Sequence, residues 1–196
     1  MTKRNITIII LIIILVLSSC TSAPERDFAD ADLLVDQSIF PAEDWTLIKQ
    51  SDSLTDSEGQ VSGAYFNMDS TRLATIARAG ETIYRYDSEN MAAFKYDRFQ
   101  IYFKKSARSD PIPNPEGFTF SSETPDQWRF GCVVNYFQPT SDFASSDTIC
   151  MYLAQYEEFI VFFAITIESD GVKTISIEDL NKVIQAIDAK ISDYLK

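Results

Sequence analysis

The sequence predicts an α+β fold: an antiparallel sheet of five or more strands, covered by two long helices over about 88–108 and 176–195. Three observations predict it. The C-terminal half holds three β-rich runs in succession, "QWRFGCVVNYF", "DTICMYLAQY" and "EFIVFFAITIE". The last of these is apolar on both sides from Phe159 to Ile167, so both of its faces must be covered. Two stretches with helical periodicity are available to cover them.

Taken in order, "ADADLLVDQSI" reads as a short helix showing Leu33, Leu34 and Ile39. Pro41 makes "FPAEDW" a turn, with Trp45 and Leu47 docking it on the core. "SDSLTDSEGQ", residues 51–60, is a polar turn cluster. "VSGAYFNM" and "RLATIARAG" read as strands. "ETIYRYD" alternates Ile83 and Arg85 against Tyr84 and Tyr86, as a half-buried strand should. Ser88 caps a helix predicted to reach about residue 108. Ala92, Tyr96, Phe99 and Phe103 share one of its faces, and Phe94 and Ile101 fall on the opposite side. Residues 109–127 carry four of the seven prolines and read as a long, stiffened surface loop.

The first C-terminal hairpin yields a register. If it is symmetric about residue 141, Cys132 faces Cys150 across two antiparallel strands, within disulfide reach. An even cysteine pair in an exported chain reads the same way; the alternative is two buried thiols. "QYEEF" is short enough for the second hairpin turn. The chain closes on "SIEDLNKVIQAIDAKISDYL", where Ser176 and Asp179 form a variant capping box. Ile177, Leu180, Val183, Ile184, Ile187, Ile191 and Tyr194 make one apolar stripe, as in a helix lying on a sheet. In element order the whole is similar to the photosystem II extrinsic-subunit type of fold, seen in small exported lipoproteins.

The N-terminus has three parts. Lys3 and Arg4 form a basic head, Ile6 to Leu17 is apolar apart from Thr7, and Ser18-Ser19-Cys20 follows. A membrane-spanning helix needs roughly 20 apolar residues. This run is too short for that, and fits the apolar core of a secretion signal. Leu17-Ser18-Ser19-Cys20 resembles the lipobox of bacterial lipoproteins. That resemblance implies cleavage before Cys20, a diacylglycerol on its sulfur and often an acyl group on the new amino end. The alternative is an ordinary signal peptide with a leftover cysteine. Each buried CH₂ contributes about 0.8 kcal/mol, so two or three acyl chains anchor where one does not. The organisation expected is a signal over 1–19, an acidic tether with a short helix over 20–40, and a single domain over 41–196.

The chain has 17 basic and 29 acidic residues and a net charge of −12. The signal carries Lys3 and Arg4 and no acid, so its loss leaves 15 bases against 29 acids and a charge of −14. Such a chain lacks the basic face of a nucleic-acid binder. Anionic head groups repel it, so the lipid must do the anchoring.

Histidine is absent, which removes the commonest general base, the usual zinc ligand and any Ser-His-Asp arrangement. No phosphate loop or dinucleotide fingerprint appears, and neither a cofactor nor a metal is expected. Glu157 and Glu158 are the adjacent pair a carboxylate-based glycosidase would need, but they sit in a predicted tight turn, where acids are usually just solvated. Asp52, Asp56 and Glu58 lack calcium-loop spacing. Trp45, Trp128, Tyr84 and Tyr86, with Tyr65, are candidates to line a ligand groove; the plainer reading is core. Lys104, Lys105 and Arg108 are candidates for an anionic contact, or simply favour the helix dipole.

The expectation is therefore a membrane-anchored, extracytoplasmic binding, sensing or accessory module, without enzymatic activity. Its partners would be the membrane, through the lipid, and another envelope protein. A structural envelope protein and a small carboxylate hydrolase are the alternatives.

Overall fold

A computed structural model of the chain describes residues 22–41, 45–56, 59–68, 78–105, 109–113, 115–137, 145–169 and 171–196. The fold is α+β. Eight strands form one antiparallel sheet: β1 (Trp45–Asp56), β2 (Gly59–Met68), β3 (Arg78–Arg85), β4 (Ser109–Ile112), β5 (Gln127–Phe137), β6 (Ser145–Tyr156), β7 (Phe159–Ser169) and β8 (Val172–Lys173). Their spatial order is β1-β2-β3-β7-β6-β5-β4, with β8 paired to β7. Among the described residues the α-helices are α1 (Glu89–Phe99) and α2 (Ile177–Tyr194).

The sheet is covered on both sides where its strands are apolar on both sides. Phe159, Val161, Phe163 and Ile165 of β7 pack with Leu180, Val183, Ile184, Ile187 and Ile191 of α2. Ile160 of β7, with Met151 and Leu153 of β6, packs with Ala92, Tyr96 and Phe99 of α1. Alternation along each strand divides the core this way. Both helix starts are capped as their sequences imply: Met91 N–H donates to Ser88 Oγ (3.2 Å), and Asp179 N–H to Ser176 Oγ (3.0 Å).

The first helix is shorter than expected. It ends at Phe99 and continues only as a 3₁₀ turn, Gln100–Phe103, so two long helices are not what covers the sheet. The tightened turn seats Phe103 on Gly131 of β5, where a Cβ would lie 3.2 Å from the ring. The chain then joins β4. Two segments expected as connections contain strand. β1 runs to Asp56 and β2 resumes at Gly59, so most of the polar cluster at 51–60 is strand; an edge strand open to water tolerates polar residues. Residues 109–112 form β4, the opposite edge, where Pro111 is permitted. Beyond it, Phe118 stacks on Phe130 at 3.6 Å and Phe120 is buried.

The leading segment is part of the body. Asp30–Leu33 and Gln37–Ile39 are short 3₁₀ turns in place of one short helix. Leu33, Leu34, Val35 and Phe40 are buried with the α2 side of the sheet.

The β5–β6 register is the expected one from Gln127↔Gln155 to Phe137↔Ser145, and Cys132 and Cys150 are disulfide-bonded across it. Both are buried. The closed loop, with a sequence separation of 18, stabilises the fold by about 3 kcal/mol. Replacing both cysteines by Ala is expected to lower Tm by about 9 °C; an unchanged melting curve in calorimetry would show that the bridge adds nothing.

Candidate functional site

The four aromatics expected to share a groove are separated by the sheet. Trp45 is buried on the α2 side, stacked on Phe40 at 4.8 Å. Trp128 is half-buried on that same side, 5.2 Å from Phe120 and 6.5 Å from Tyr152. Tyr84 and Tyr86 lie on the α1 side, where Tyr86 is buried with Ala92 and Tyr96. Trp45 and Tyr86 are buried in the core and Trp128 packs partly buried against it; Trp45 and Tyr84 each border a cavity, but different ones on opposite sides of the sheet.

The cavity at Tyr84 is a shallow groove of about 300 Å³ between β3 and the end of α1, lined by Tyr84, Arg98, Phe99, Ile101 and Tyr102. Its aromatics form a connected set. Tyr84 lies 4.8 Å from Phe99, and Tyr102 lies 5.4 Å from Phe162 of β7. Ile101 is 64% exposed and Tyr102 54%, so the wall faces water. The open surface continues over β2 and β3. There Tyr65, on the face opposite Ala64 and Phe66, lies across the bare backbone of Gly63 and Gly80, and a Cβ at either would come within 3.3 Å of its ring. The groove exists because the 3₁₀ turn swings Ile101 and Tyr102 outward while it seats Phe103. A straight helix through residue 108 would have placed them differently. The helical spacing sets Ile101 opposite the buried face, but nothing local foretells the 3₁₀ turn.

The acidic pair in the β6–β7 turn is engaged. Arg26 forks onto Glu158, Nε to Oε1 at 2.9 Å and Nη2 to Oε2 at 2.7 Å, and also bonds Glu157. Arg85 lies 3.7 Å from Glu158 and 3.5 Å from Asp30. Glu158 and Asp30 are buried, and both arginines lie over the Phe159 ring, at 5.8 and 5.5 Å. The Glu158 hydrogen bond holds the Arg26 guanidinium above its ordinary pKa, and burial pushes Asp30 up against the pull of Arg85. Glu157 takes φ 51°, with its N–H held by Asp126 Oδ2 at 2.6 Å. These groups come from residues 26, 30, 85 and 157–158, and no local motif signalled that they meet.

A second cavity, of about 460 Å³, lies beside this clamp, with Asp126, Tyr156, Glu157, Asp188 and Ser192 as well as Ala189 and Leu195 in its wall. Tyr156 donates to Asp188 Oδ1 at 2.7 Å and shares a 2.9 Å hydrogen bond with Tyr152, while Ser122 donates to Asp188 Oδ2 at 2.9 Å. Burial raises both tyrosine pKa values above the ordinary range. This network fastens α2 to β6.

Glu81 is the deepest acid. It is fully buried on β3, beside Ala64 of β2 and Phe163 of β7. Val35 N–H donates to its Oε2 at 2.7 Å, and its Oε1 has no hydrogen-bond partner among the described residues. Burial pushes its pKa up to about 7, against the Val35 hydrogen bond and the charge of Lys190.

Lys104 and Lys105 are exposed and lie past the last turn of α1, where a helix dipole has little effect. Lys105 pairs with Asp110 at 2.8 Å. Arg108 and Cys20 lie outside the described residues, as do Glu58 and the side chains of Asp52 and Asp56. Among the described residues, no three Cys, Asp or Glu gather as a metal site, and no helix is long and apolar enough to cross a membrane. The chain matches no protein-family model and no curated protein.

Proposed function

We propose that this chain is an extracytoplasmic lipoprotein, held to a membrane by acyl chains on Cys20 after loss of residues 1–19, whose body is a non-enzymatic binding or accessory module. The observation that carries the reading of the body is the exposed aromatic groove at Tyr84, Ile101 and Tyr102. A water-facing wall of rings beside a rigid, doubly covered sheet is the surface a binding module needs. Its fit is to the apolar or aromatic part of a partner, with Arg98 at the rim for an anionic group. The buried Cys132–Cys150 bridge supports export, because such bridges persist in oxidising compartments. The engagement of Glu157 and Glu158 by Arg26 supports a structural over a hydrolytic role for that pair.

The anchor and the groove have separate tests. Cells fed labelled palmitate are expected to label the wild-type protein and not Cys20→Ser, which moves to the soluble fraction. An unlabelled wild type that retains residues 1–19 would end the lipoprotein reading. A photo-crosslinking residue at Ile101 is expected to give one discrete adduct in cells, and one at the exposed Lys182 of α2 none. No adduct from either position would leave a structural envelope role.

A further inference from the structure

The chain joins the body almost at once after Cys20. Ala23 N–H donates to the Asp87 carbonyl at 2.6 Å, and Arg85 Nη2 donates to the Pro24 carbonyl at 3.0 Å. Arg26 is forked on Glu158. Phe28 packs 6.1 Å from Phe159 and 5.2 Å from Tyr194 at the end of α2. Every one of these partners lies at one end of the sheet: the close of β3, the β6–β7 turn, and the last turn of α2. Only Thr21 and Ser22 lie between Cys20 and Ala23, and the three Cα-to-Cα steps from Cys20 to Ala23 span no more than about 11 Å.

Resting on the lipoprotein reading above, we infer that this end of the sheet is a membrane-apposed surface, held flush against the bilayer by a leash too short to let the body swing away. β7 runs from this end to the other, and eleven residues of strand span about 35 Å. Lys173 and the start of α2 therefore stand roughly that far out. The apposed end exposes Glu25, Asp27, Asp87, Glu89 and Glu157. An anionic head-group layer repels such a surface, so adhesion does not hold it there; the leash does. The body is thus presented in one attitude, with its sheet standing away from the membrane.

The test uses full-length protein acylated at Cys20, reconstituted in phosphatidylcholine vesicles that carry a head-group energy acceptor. A donor dye is placed at Asp87→Cys or at Lys173→Cys; both positions are exposed. Transfer is expected to be several-fold more efficient from position 87 than from position 173. Inserting fifteen Gly/Ser residues after Cys20, with an r.m.s. span of about 20 Å, should erase most of that contrast. Protein that fails to float with vesicles overturns the anchor, and the orientation with it. Protein that floats but transfers equally from both positions overturns the orientation alone. A contrast that survives the insertion shows that the surface itself adheres, which overturns the leash.

Discussion

Glu158→Ala is expected to lower stability by about 3–5 kcal/mol, the usual cost of removing one member of a buried ion pair. Its carboxylate is buried and holds the fork of Arg26, with Arg85 3.7 Å away. Without it, two guanidiniums compacted against Phe159 lose their main counter-charge, and Asp30 alone remains beside Arg85. For a domain of this size the loss corresponds to a Tm lower by about 9–15 °C. Glu157→Ala serves as the control. That side chain is 48% exposed, and its pair with Arg26 contributes at most about 1 kcal/mol. Thermal unfolding of the two variants side by side decides the matter; equal losses would mean that the cluster is not the clamp described. Because Arg26 is what the clamp grips, trypsin should also cut after Arg26 far faster in Glu158→Ala than in the wild type.

Glu81 predicts a pH dependence of definite sign. Its folded pKa is raised from 4.5 to about 7 by burial. A raised pKa means that the folded state binds the proton more tightly than the unfolded chain does. The contribution is therefore full below about pH 4.5 and is lost as pH climbs through about 7, on the order of 3 kcal/mol across that window. Asp30 is shifted the same way and adds to the slope. Asp36 and Asp179 are shifted down, but they lie near the surface, where such shifts contribute little. Glu81→Gln keeps an acceptor for Val35 N–H and carries no charge. Denaturation measured from pH 5 to pH 8 is expected to show a falling wild type and a flatter variant that is the more stable of the two at pH 8. Parallel curves would assign the slope elsewhere.

Much of this fold was legible because period and burial agree. The Ala92, Tyr96, Phe99, Phe103 face, the α2 stripe and the doubly apolar β7 all follow from spacing, and the β5–β6 register follows from one symmetric loop. The length of α1 was not legible, because apolar spacing continues through Phe103 whether the last turn is α or 3₁₀. The polar run at 51–60 looked like a turn because composition alone does not separate a turn from an edge strand. Glu81 was half legible: it shares parity with Ile83, which places it inward, yet an acid there is easily assigned to a loop. The groove could not be read, since it depends on where Ile101 and Tyr102 point after the helix tightens. The clamp joins side chains more than a hundred residues apart, and only the folded chain brings them together.

The strap from Ala23 to Phe40 is woven into the core through Leu33, Leu34 and Val35. A protease that cuts beyond Val35 does not free an intact body, because what it frees has lost a wall of its own interior. On the proposed lipid anchorage, release into the surroundings as a working soluble form would require cutting upstream of Leu33.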